Sequence, residues 1–388
     1  MIDLAKHPYF TEHIDPVSGV TSYFLSKKVA QMQQHFYFCN TSLTFDSNYL
    51  WIRCSNAPAM AQSLAVVSLD PENPSIRHYQ GAGYSGRGNL PCIIPGTHDV
   101  LFAEGACVYR ATAEGVITKL FTLPPEVTQR RAPERVFTHA SLSCDGKTLV
   151  MDAYVANKTY LCFGDMETGE VHLADKFGDM YNHAQFSFTD PDLLILDQDG
   201  WDDLNSGEHF IFHNRIWLTD RNNRRFEPLF PTSYYAHNGW VCHDFWSKDG
   251  KVCYVDYADG AFECDPITRE VNHVWTRPLC HCHTNPDRSL WVGDQTPYAW
   301  HERPCQVLFY DRASNKELDI FSALPRPKLE DNSPYHLDPH PAFSDDGQYI
   351  ISTVTLLDGD ADVAITPVAP LLALCRENGT TPKPVPLT

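Results

Sequence analysis

Residues His139–Gly146 read HASLSCDG and are followed by KTLVMDAYV at 147–155. A histidine comes first, the apolar Leu142 stands three places later, and Asp145-Gly146 precedes a run rich in β-forming residues. Asp-Gly between two such runs is a strong short-range signal of a β-hairpin. The stretch therefore predicts a strand, a tight turn and a second strand.

The same unit recurs along the chain. HDFWSKDG from residue 243 and HPAFSDDG from residue 340 are clear copies, followed by KVCYVDY and QYIISTV, and four others are less regular. The seven copies begin at Asn40, Asn89, His139, His183, His243, His281 and His340. Successive starts are 38 to 60 residues apart, which brackets the roughly 40–50 residues of a four-stranded propeller blade.

The repeat predicts an all-β fold, a seven-bladed β-propeller with four-stranded antiparallel blades that spans 1–388 as a single domain. No long segment has the 3.6-residue periodicity of a helix, and no linker divides the 388 residues. Two β-sandwiches, or a propeller of six or eight blades, are the alternatives. The copies at Asn40 and Asn89 are the weakest, so the blade count depends on them.

The amino-acid composition and net charge limit which kinds of partner this protein can bind. Hydrophobic residues make up 43 % and charged residues 20 % of the chain, which is typical of a globular core. The formal net charge of −19 argues against nucleic acid or an anionic membrane surface as a partner. A small acidic substrate remains compatible, because a local cluster of Arg and His can outweigh the global charge.

The sequence also predicts a cytoplasmic location. The first twenty residues contain no apolar stretch long enough for a signal peptide, and no window approaches the ~18 apolar residues of a membrane span. The 13 cysteines are odd in number and scattered mostly through strand-like runs. We expect them to be thiols or metal ligands rather than a disulfide framework.

Radial repetition places the first residue of every copy at an equivalent point around one axis. Five of these seven residues are histidines, so we expect them to converge near one mouth of the central channel. The alternative is that each histidine only hydrogen-bonds a neighbouring blade.

One further motif is Asp338-Pro339-His340, with Tyr335 and His336 just before it. Side chains two residues apart on an extended segment point to the same side, so Asp338 and His340 are predicted to chelate one cation. His281 is predicted to join them in a site of mixed oxygen and nitrogen donors that suits manganese or a similar ion.

Another motif is Cys280-His281-Cys282-His283, in which alternation puts the two cysteines on the face opposite the histidines. Cys280 and Cys282 are predicted to join Cys264, with His243 as a fourth ligand, in a tetrahedral zinc site. The sequence does not choose between the two metal sites, and both can coexist.

A third feature is Arg215, which opens the strand-like run RIWL. Arg215 either belongs to the functional site at the channel mouth or forms a salt bridge on the surface or within a hairpin.

These features resemble the oligogalacturonate lyase family of polysaccharide lyases and, more loosely, the propeller-type ulvan lyases. The resemblance covers most of the chain and rests on the order of its motifs. They are DPVSGVTSYFL at 15–25, HFYFCNTSLTFDSNYLWI at 35–52, RIWLTD at 215–220, VCHDFWSKDGKVCYVDY at 241–257, the block from 281 to 294, and DPHPAFSDDGQYIIS at 338–352.

The resemblance implies β-elimination of uronic-acid chains with a divalent metal ion. It implies that Arg215 binds or neutralises the substrate carboxylate, that His243 is the general base, and that His281 and His340 are metal ligands.

The chain also departs from the family. The family's His-Pro-His becomes Asp-Pro-His at 338–340, and the position of an upstream Gln falls near Tyr335. The pair Cys280 and Cys282 is foreign to oligogalacturonate lyases and resembles the zinc-bearing ulvan lyases. The metal, manganese or zinc, and the substrate therefore stay open.

The chemistry explains why such residues are needed. Removing the weakly acidic C5 proton of a uronate builds negative charge on its carboxylate, which a metal ion or arginine stabilises. Neutral histidine is a suitable base near pH 7. His183 is the predicted donor of a proton to the leaving oxygen, with His139 or a nearby tyrosine as alternatives. The expected partner is a small acidic oligosaccharide.

Two other functions remain possible at this point: a non-catalytic binding propeller, and another metal-dependent enzyme such as a lactonase or glycoside hydrolase. The acidic loop with Asp199, Asp202, Asp203 and Glu208 either supplies paired carboxylates for hydrolysis or is a solvated connection. Motifs of serine hydrolases, P-loop proteins and dinucleotide-binding proteins are absent from the sequence. The cleavage mode and the oligomeric state are not predicted.

Overall fold

The computed structural model describes residues 2–85, 88–202, 206–210, 214–222, 224–230, 241–296, 304–327, 335–357 and 359–383. Within them the strands form seven antiparallel sheets of four or five strands that follow one another along the chain, and one two-stranded sheet. Each large sheet is one blade, so the predicted seven-bladed, all-β propeller is confirmed. The copies at Asn40 and Asn89 each belong to a separate blade.

The first half of the chain provides the N-terminal strands and three blades. A short 3-10 helix, Leu4–Lys6, precedes strands β1 and β2, Phe10–Ile14 and Thr21–Leu25. Blade 1 contains β3 to β6: Met32–Gln34, Tyr49–Ser55, Ala61–Ser68 and Ile76–Ser85. Blade 2 contains β7 to β10: Cys92–Ile93, Val100–Glu104, Cys107–Ala111 and Ile117–Thr122. After helix α1, Pro125–Thr128, blade 3 contains β11 to β14: Ser141–Leu142, Thr148–Tyr154, Thr159–Asp165 and Val171–Phe177.

The second half of the chain provides the other four blades. Blade 4 and its inserted two-stranded sheet contain β15 to β20: Met180–Phe186, Leu193–Asp199, Trp201–Asp202, His209–Phe210, Ile216–Asp220 and Phe226–Pro228. Blade 5 contains β21 to β24: Val241–Trp246, Val252–Asp256, Gly260–Cys264 and Val271–Trp275. Blade 6 contains β25 to β28: Cys282–Thr284, Leu290–Gln295, Cys305–Asp311 and Lys316–Leu324. Blade 7 begins with β29 to β31: Ala342–Phe343, Tyr349–Val354 and Asp362–Pro367.

The two ends of the chain complete blade 7 together. Its strand order is β1-β2-β31-β30-β29, and β2 pairs with β31 through Tyr23 opposite Ile365. Helix α2, Val368–Asn378, then packs Leu371 and Cys375 against the core between blades 6 and 7. Because strands from both ends of the chain share this sheet, they close the ring of blades. No helix among the described residues is long and apolar enough to cross a membrane.

Apolar side chains fill every junction between neighbouring blades. In β12, Leu149, Met151 and Ala153 pack toward blade 2, whereas Val150 packs toward blade 4. Successive residues of a strand point to opposite faces, so a strand between two neighbours must be apolar on both. This explains the nearly continuous apolar runs after each turn of the repeat.

The turns of the repeat form as the Asp-Gly pairs predict. In blade 3 the amide of Gly146 donates to the carbonyl of Ser143 over 2.8 Å, and Gly146 has φ 71°. A left-handed residue after such a turn favours glycine. The Ser143 hydroxyl also donates to Asp145 over 2.6 Å.

Backbone irregularities occur at the repeat histidines of several innermost strands. His183, His243 and His340 have φ values of 53°, 49° and 46°, and the pairing of β15 and β21 shifts register beside the first two. A bulge of this kind bends a strand and re-aims a side chain. These histidines are thereby directed toward the channel.

Candidate metal and catalytic site

Tyr37 occupies the centre of the channel mouth. In blade 1 the innermost strand stops at Gln34 and pairing resumes only at Leu43, opposite Leu50. The intervening loop crosses the channel. One end is held by His35, whose Nε2 hydrogen-bonds with the carbonyl oxygen of His340 in blade 7.

The repeat histidines surround this tyrosine. The ring centroid of Tyr37 lies 5.0 Å from that of His340, 5.6 Å from His183, 5.8 Å from His139 and 6.1 Å from His281. The fifth repeat histidine, His243, has its centroid 4.1 Å from that of His281. Residues more than 150 positions apart in the sequence therefore meet at one mouth, as radial repetition predicts.

On the side of blades 5 to 7, four imidazoles form a row. His243 and His281 are followed by His340, whose ring centroid lies 4.3 Å from that of His281, and by His336, 4.6 Å from His340. His281 and His340 are fully buried, whereas His336 is exposed. The row thus has two buried histidines in its middle and reaches solvent at His336.

Asp294 fixes the orientation of His281. Its carboxylate accepts hydrogen bonds from the His281 Nδ1, at 3.0 and 3.1 Å, and from the His281 backbone N–H, at 3.0 Å. Burial disfavours the charged imidazole, but Asp294 outweighs burial and raises the pKa of His281. Since Nδ1 is occupied, Nε2 is the nitrogen that remains for a metal, the arrangement usual for histidine ligands.

A first group of metal-ligating atoms lies beside this histidine. One atom each from His281, His336, Asp338 and His340 lies within 4.8 Å of the others. Both ring nitrogens of His340 and the Asp338 Oδ1 are buried and have no hydrogen-bond partner among the described residues. Buried polar atoms without partners are costly, so these residues fit a bound cation. Asp338 and His340 do come together as predicted, although the backbone of His340 is left-handed rather than extended.

A second group consists of His243, Cys280 and His281, also within 4.8 Å of one another. Cys280 Sγ lies 4.0 Å from His281 Nε2, and His243 Nδ1 lies 2.5 Å from the Cys280 carbonyl oxygen. The prediction that Cys280 and His281 face opposite ways is wrong. Strand β25 begins only at Cys282, so the alternation of a strand does not apply before it.

The predicted three-cysteine zinc site is not assembled. Cys282 is buried between blades 5 and 6 with Trp275 and Trp291, and Cys264 lies in a different cluster between blades 4 and 5. Neither belongs to a group of possible metal ligands in the described part of the chain. Each of the two cysteines instead packs in an apolar core between blades, away from the groups of possible ligands at the mouth.

Arg215 lies at the wall of the mouth rather than on the surface. Its guanidinium contacts Asp197 over 3.0 Å and Asp199 over 2.9 Å. Burial together with nearby Asp244 raises the pKa of Asp197, an effect that Arg215 opposes. Arg215 therefore does form a salt bridge, as one alternative predicted, but its bridge to Asp197 is buried and does not lie on the surface. It holds the arginine firmly in place.

The two histidines on the other side of Tyr37 are neutral. Burial lowers the pKa of His139 to about 3, and burial together with His139 and Arg215 lowers that of His183 well below its ordinary value. Burial raises the pKa of Tyr37. At neutral pH this part of the mouth therefore contains two uncharged imidazoles and a protonated phenol.

The described carboxylates of the acidic loop in blade 4, those of Asp199, Asp202 and Glu208, do not form one cluster. Asp199 ends β16 and pairs with Arg215, whereas Asp202 accepts a hydrogen bond from His209 over 2.8 Å on the exposed hairpin. Glu208 is exposed. Asp203 lies outside the described residues.

The sequence-based interpretation missed Tyr37 and Asp294. Tyr37 lies in a non-repeating insertion and carries no signal of its own. Asp294 does carry one, because thirteen residues after His139, His243 and His281 the sequence has Asp152, Asp256 and Asp294.

A scan against models of protein families finds no match, and a search of curated proteins finds none. Solved structures do match. An oligogalacturonate lyase in complex with manganese superposes with a TM-score of 0.72 at 16 % identity, over 92 % of this chain and 96 % of that one. The oligogalacturonate lyase of Vibrio parahaemolyticus gives a TM-score of 0.72 at 17 % identity, with the same coverage.

A more distant match is the β-propeller domain of Cps50 (Swd1) from Myceliophteria thermophila, with a TM-score of 0.53 and 9 % identity, over 91 % of this chain and 99 % of that one. At such identities a likeness shows the fold alone. The predicted resemblance to oligogalacturonate lyases is confirmed at that level, and the looser one to ulvan lyases stays a prediction.

Proposed function

We propose that this protein is a lyase that cleaves small uronate-containing oligosaccharides by β-elimination, assisted by a divalent metal ion. One observation carries the proposal. A group of metal-ligating side chains, a neutral histidine and a fixed arginine meet around one tyrosine at the mouth of a propeller. β-Elimination from a uronate needs a cation for the carboxylate, a base for C5 and a donor for the leaving oxygen.

His281, Asp338 and His340 would hold the metal ion, with His336 at the solvent side. Carboxylate and imidazole donors together suit manganese, and a structure of similar fold contains that ion. When bound, the ion would stabilise negative charge on the uronate carboxylate. Asp294 keeps His281 Nδ1 occupied, so His281 presents Nε2.

His243 is the proposed base. Its Nδ1 faces the carbonyl oxygen of Cys280 and donates to it, which leaves Nε2 to accept a proton. Burial, together with His281 and Arg215, lowers the pKa of His243 well below its ordinary value. The imidazole is therefore unprotonated at neutral pH, the form that a general base requires.

Arg215 is proposed to bind the uronate carboxylate. Asp197 and Asp199 hold its guanidinium against the wall of the mouth. Burial opposes its charge, but the two carboxylates outweigh burial and raise the pKa of Arg215. Because a guanidinium fixed in this way needs little reorganisation, its charge is available as the negative charge of the transition state develops.

Tyr37 is the best placed proton donor for the leaving oxygen. His183 and His139 are the histidines predicted for this step, but burial keeps both imidazoles unprotonated. Burial acts in the opposite sense on Tyr37 and keeps its O–H protonated. We therefore place Tyr37 first and His183 second.

The test is the ultraviolet absorbance of the unsaturated product, followed while the protein meets digalacturonate, glucuronate-rhamnose and ulvan fragments. Each is tested with Mn²⁺ and with chelator. A signal that needs the metal, is lost in His243→Gln and in Tyr37→Phe, and persists in His98→Ala supports the proposal. His98 is the control because it pairs with Asp46 away from the mouth. No signal from folded, metal-loaded protein on any of the fragments would contradict it.

A further inference from the structure

His281 belongs to both groups of possible ligands, and this creates a conflict. Its Nδ1 is held by Asp294, so Nε2 is the nitrogen through which it can bind a metal in either group. One nitrogen lone pair binds one ion. The two groups therefore cannot be filled at the same time as long as His281 takes part in both.

The donor atoms of the two groups differ in kind. The first group adds a carboxylate, from Asp338, to three imidazoles, whereas the second adds a thiol, from Cys280, to two. Oxygen donors suit manganese, and sulfur donors suit zinc and other thiophilic ions. Ions of different chemistry should thus prefer different partners for His281: manganese the group with Asp338, and zinc the group with Cys280.

The second group also has features that are typical of a zinc site. The rings of His243 and His281 are 4.1 Å apart, and Cys280 Sγ lies 4.0 Å from His281 Nε2. The Nδ1 atoms of both histidines are occupied, one by the Cys280 carbonyl and one by Asp294. Three protein ligands with a fourth position open are typical of zinc sites that also bind water or another ligand.

We propose that His243, Cys280 and His281 form a second metal site, which takes zinc or another thiophilic divalent ion in exchange for the ion held by His281, Asp338 and His340. The Cys280 thiol loses its proton to solvent as the sulfur–metal bond forms. His243 Nε2 becomes a ligand and can no longer accept a proton. This last consequence rests on the proposed function and makes zinc an inhibitor of the lyase.

Cobalt tests the site without any enzyme assay. Co²⁺ bound to a thiolate absorbs in the near ultraviolet through sulfur-to-metal charge transfer, so titration of the wild-type protein should produce that band. Cys280→Ser should abolish it. Cys282→Ser should keep it, because the side chain of Cys282 lies in the apolar cluster with Trp275 and Trp291. A band that survives Cys280→Ser would overturn the assignment.

Competition tests whether the ion is shared. Excess Mn²⁺ should diminish the cobalt band, and Asp338→Asn should make that displacement harder by about tenfold. Calorimetry should find one ion per chain when zinc and manganese are present together. Two ions per chain would refute the sharing of His281.

Two further measurements separate the outcomes. If the Cys280 variant does not fold, zinc should still slow alkylation of Cys280 in the wild-type protein. Mass spectrometry identifies the alkylated cysteine, and an unchanged rate of alkylation at Cys280 would contradict the site.

If the lyase assay succeeds, zinc should inhibit the wild type at about tenfold lower concentration than it inhibits Cys280→Ser. If the assay fails on every substrate, the proposed function fails while the cobalt result stands.

Discussion

Blades 3 and 6 start from the same sequence pattern and reach opposite electrostatic outcomes. Each opens with a histidine, and each has an aspartate thirteen residues later, Asp152 in blade 3 and Asp294 in blade 6. In blade 6 the carboxylate accepts from the ring and the backbone of His281. In blade 3 both ring nitrogens of His139 are without a partner among the described residues.

The residue before the histidine accounts for the difference. In blade 3 it is Thr138, whose backbone N–H and hydroxyl donate to Asp152 over 2.7 and 2.5 Å. The guanidinium of Arg135 also lies 4.0 Å from the Asp152 carboxylate. In blade 6 it is Cys280, and a thiol is a weak donor. The repeat therefore places an aspartate at the same position of blades 3 and 6, and a neighbouring donor decides whether the histidine obtains it.

In blade 4 the carboxylate at this place pairs with a cation and not with the histidine. Removing that cation should have the largest effect of the changes that we predict. Asp197 lies in the corresponding strand and pairs with Arg215, not with His183. Arg215→Met would leave buried carboxylates without their cation. We expect the free energy of unfolding to fall by about 3–5 kcal/mol, measured by urea denaturation, with partial recovery in the double variant with Asp197→Asn.

The matched control for this variant is Arg225→Met. Arg225 pairs with Glu227 over 2.7 Å in the same blade, but both side chains are substantially exposed. A surface pair of this kind contributes about 0–1 kcal/mol. Equal losses from the two arginines would mean that the pair of Arg215 and Asp197 is no more than a surface salt bridge.

The next largest effect should separate blades 3 and 6 directly. Asp294→Asn removes the carboxylate that orients His281, so the affinity for Mn²⁺ should fall about 10- to 100-fold, as measured by competition with a fluorescent chelator. Asp152→Asn is the control at the same position of the repeat. It should leave the affinity for Mn²⁺ unchanged while it lowers stability, because Asn replaces one of the two carboxylate oxygens that accept from Thr138 with an NH2 donor.

If both aspartate variants bind Mn²⁺ as the wild type does, His281 does not depend on Asp294, and the contrast between the two blades has no bearing on the metal.

The architecture was readable from the sequence because the signals are local and repeated. An Asp-Gly turn such as Asp145-Gly146 fixes a hairpin, and the repeat then assigns equivalent positions to residues in different blades. The convergence of the five histidines follows from that periodicity alone. It required no knowledge of any side-chain contact.

The partners of these residues were not readable, for physical reasons. Tyr37 lies in an insertion without a counterpart in the other blades. The prediction of a three-cysteine zinc site failed because Cys280 precedes the strand, so that alternation does not pair it with Cys282, and because Cys264 packs in another core. The position of Asp294 is visible in the sequence, but its choice of partner depends on the donors around it.

The effect that should be smallest near neutral pH is a change in the pH dependence of stability caused by His139. Burial lowers the pKa of His139 to about 3 from its ordinary 6.5. Between these values the unfolded chain binds a proton that the folded chain does not, so this histidine lowers stability as the pH falls from 6.5 toward 3. His139→Leu should reduce the slope of unfolding free energy against pH by about 1.4 kcal/mol per pH unit.

Urea denaturation of both proteins at several values between pH 4 and pH 8 measures this slope. Above pH 7 the two curves should run parallel, since histidine is then neutral in both states, and the wild-type curve should fall relative to the curve of the variant as the medium becomes acidic. Parallel curves down to pH 4 would mean that folded His139 takes up a proton as easily as the unfolded chain does. Asp152 would then serve His139 as Asp294 serves His281, and blades 3 and 6 would not differ.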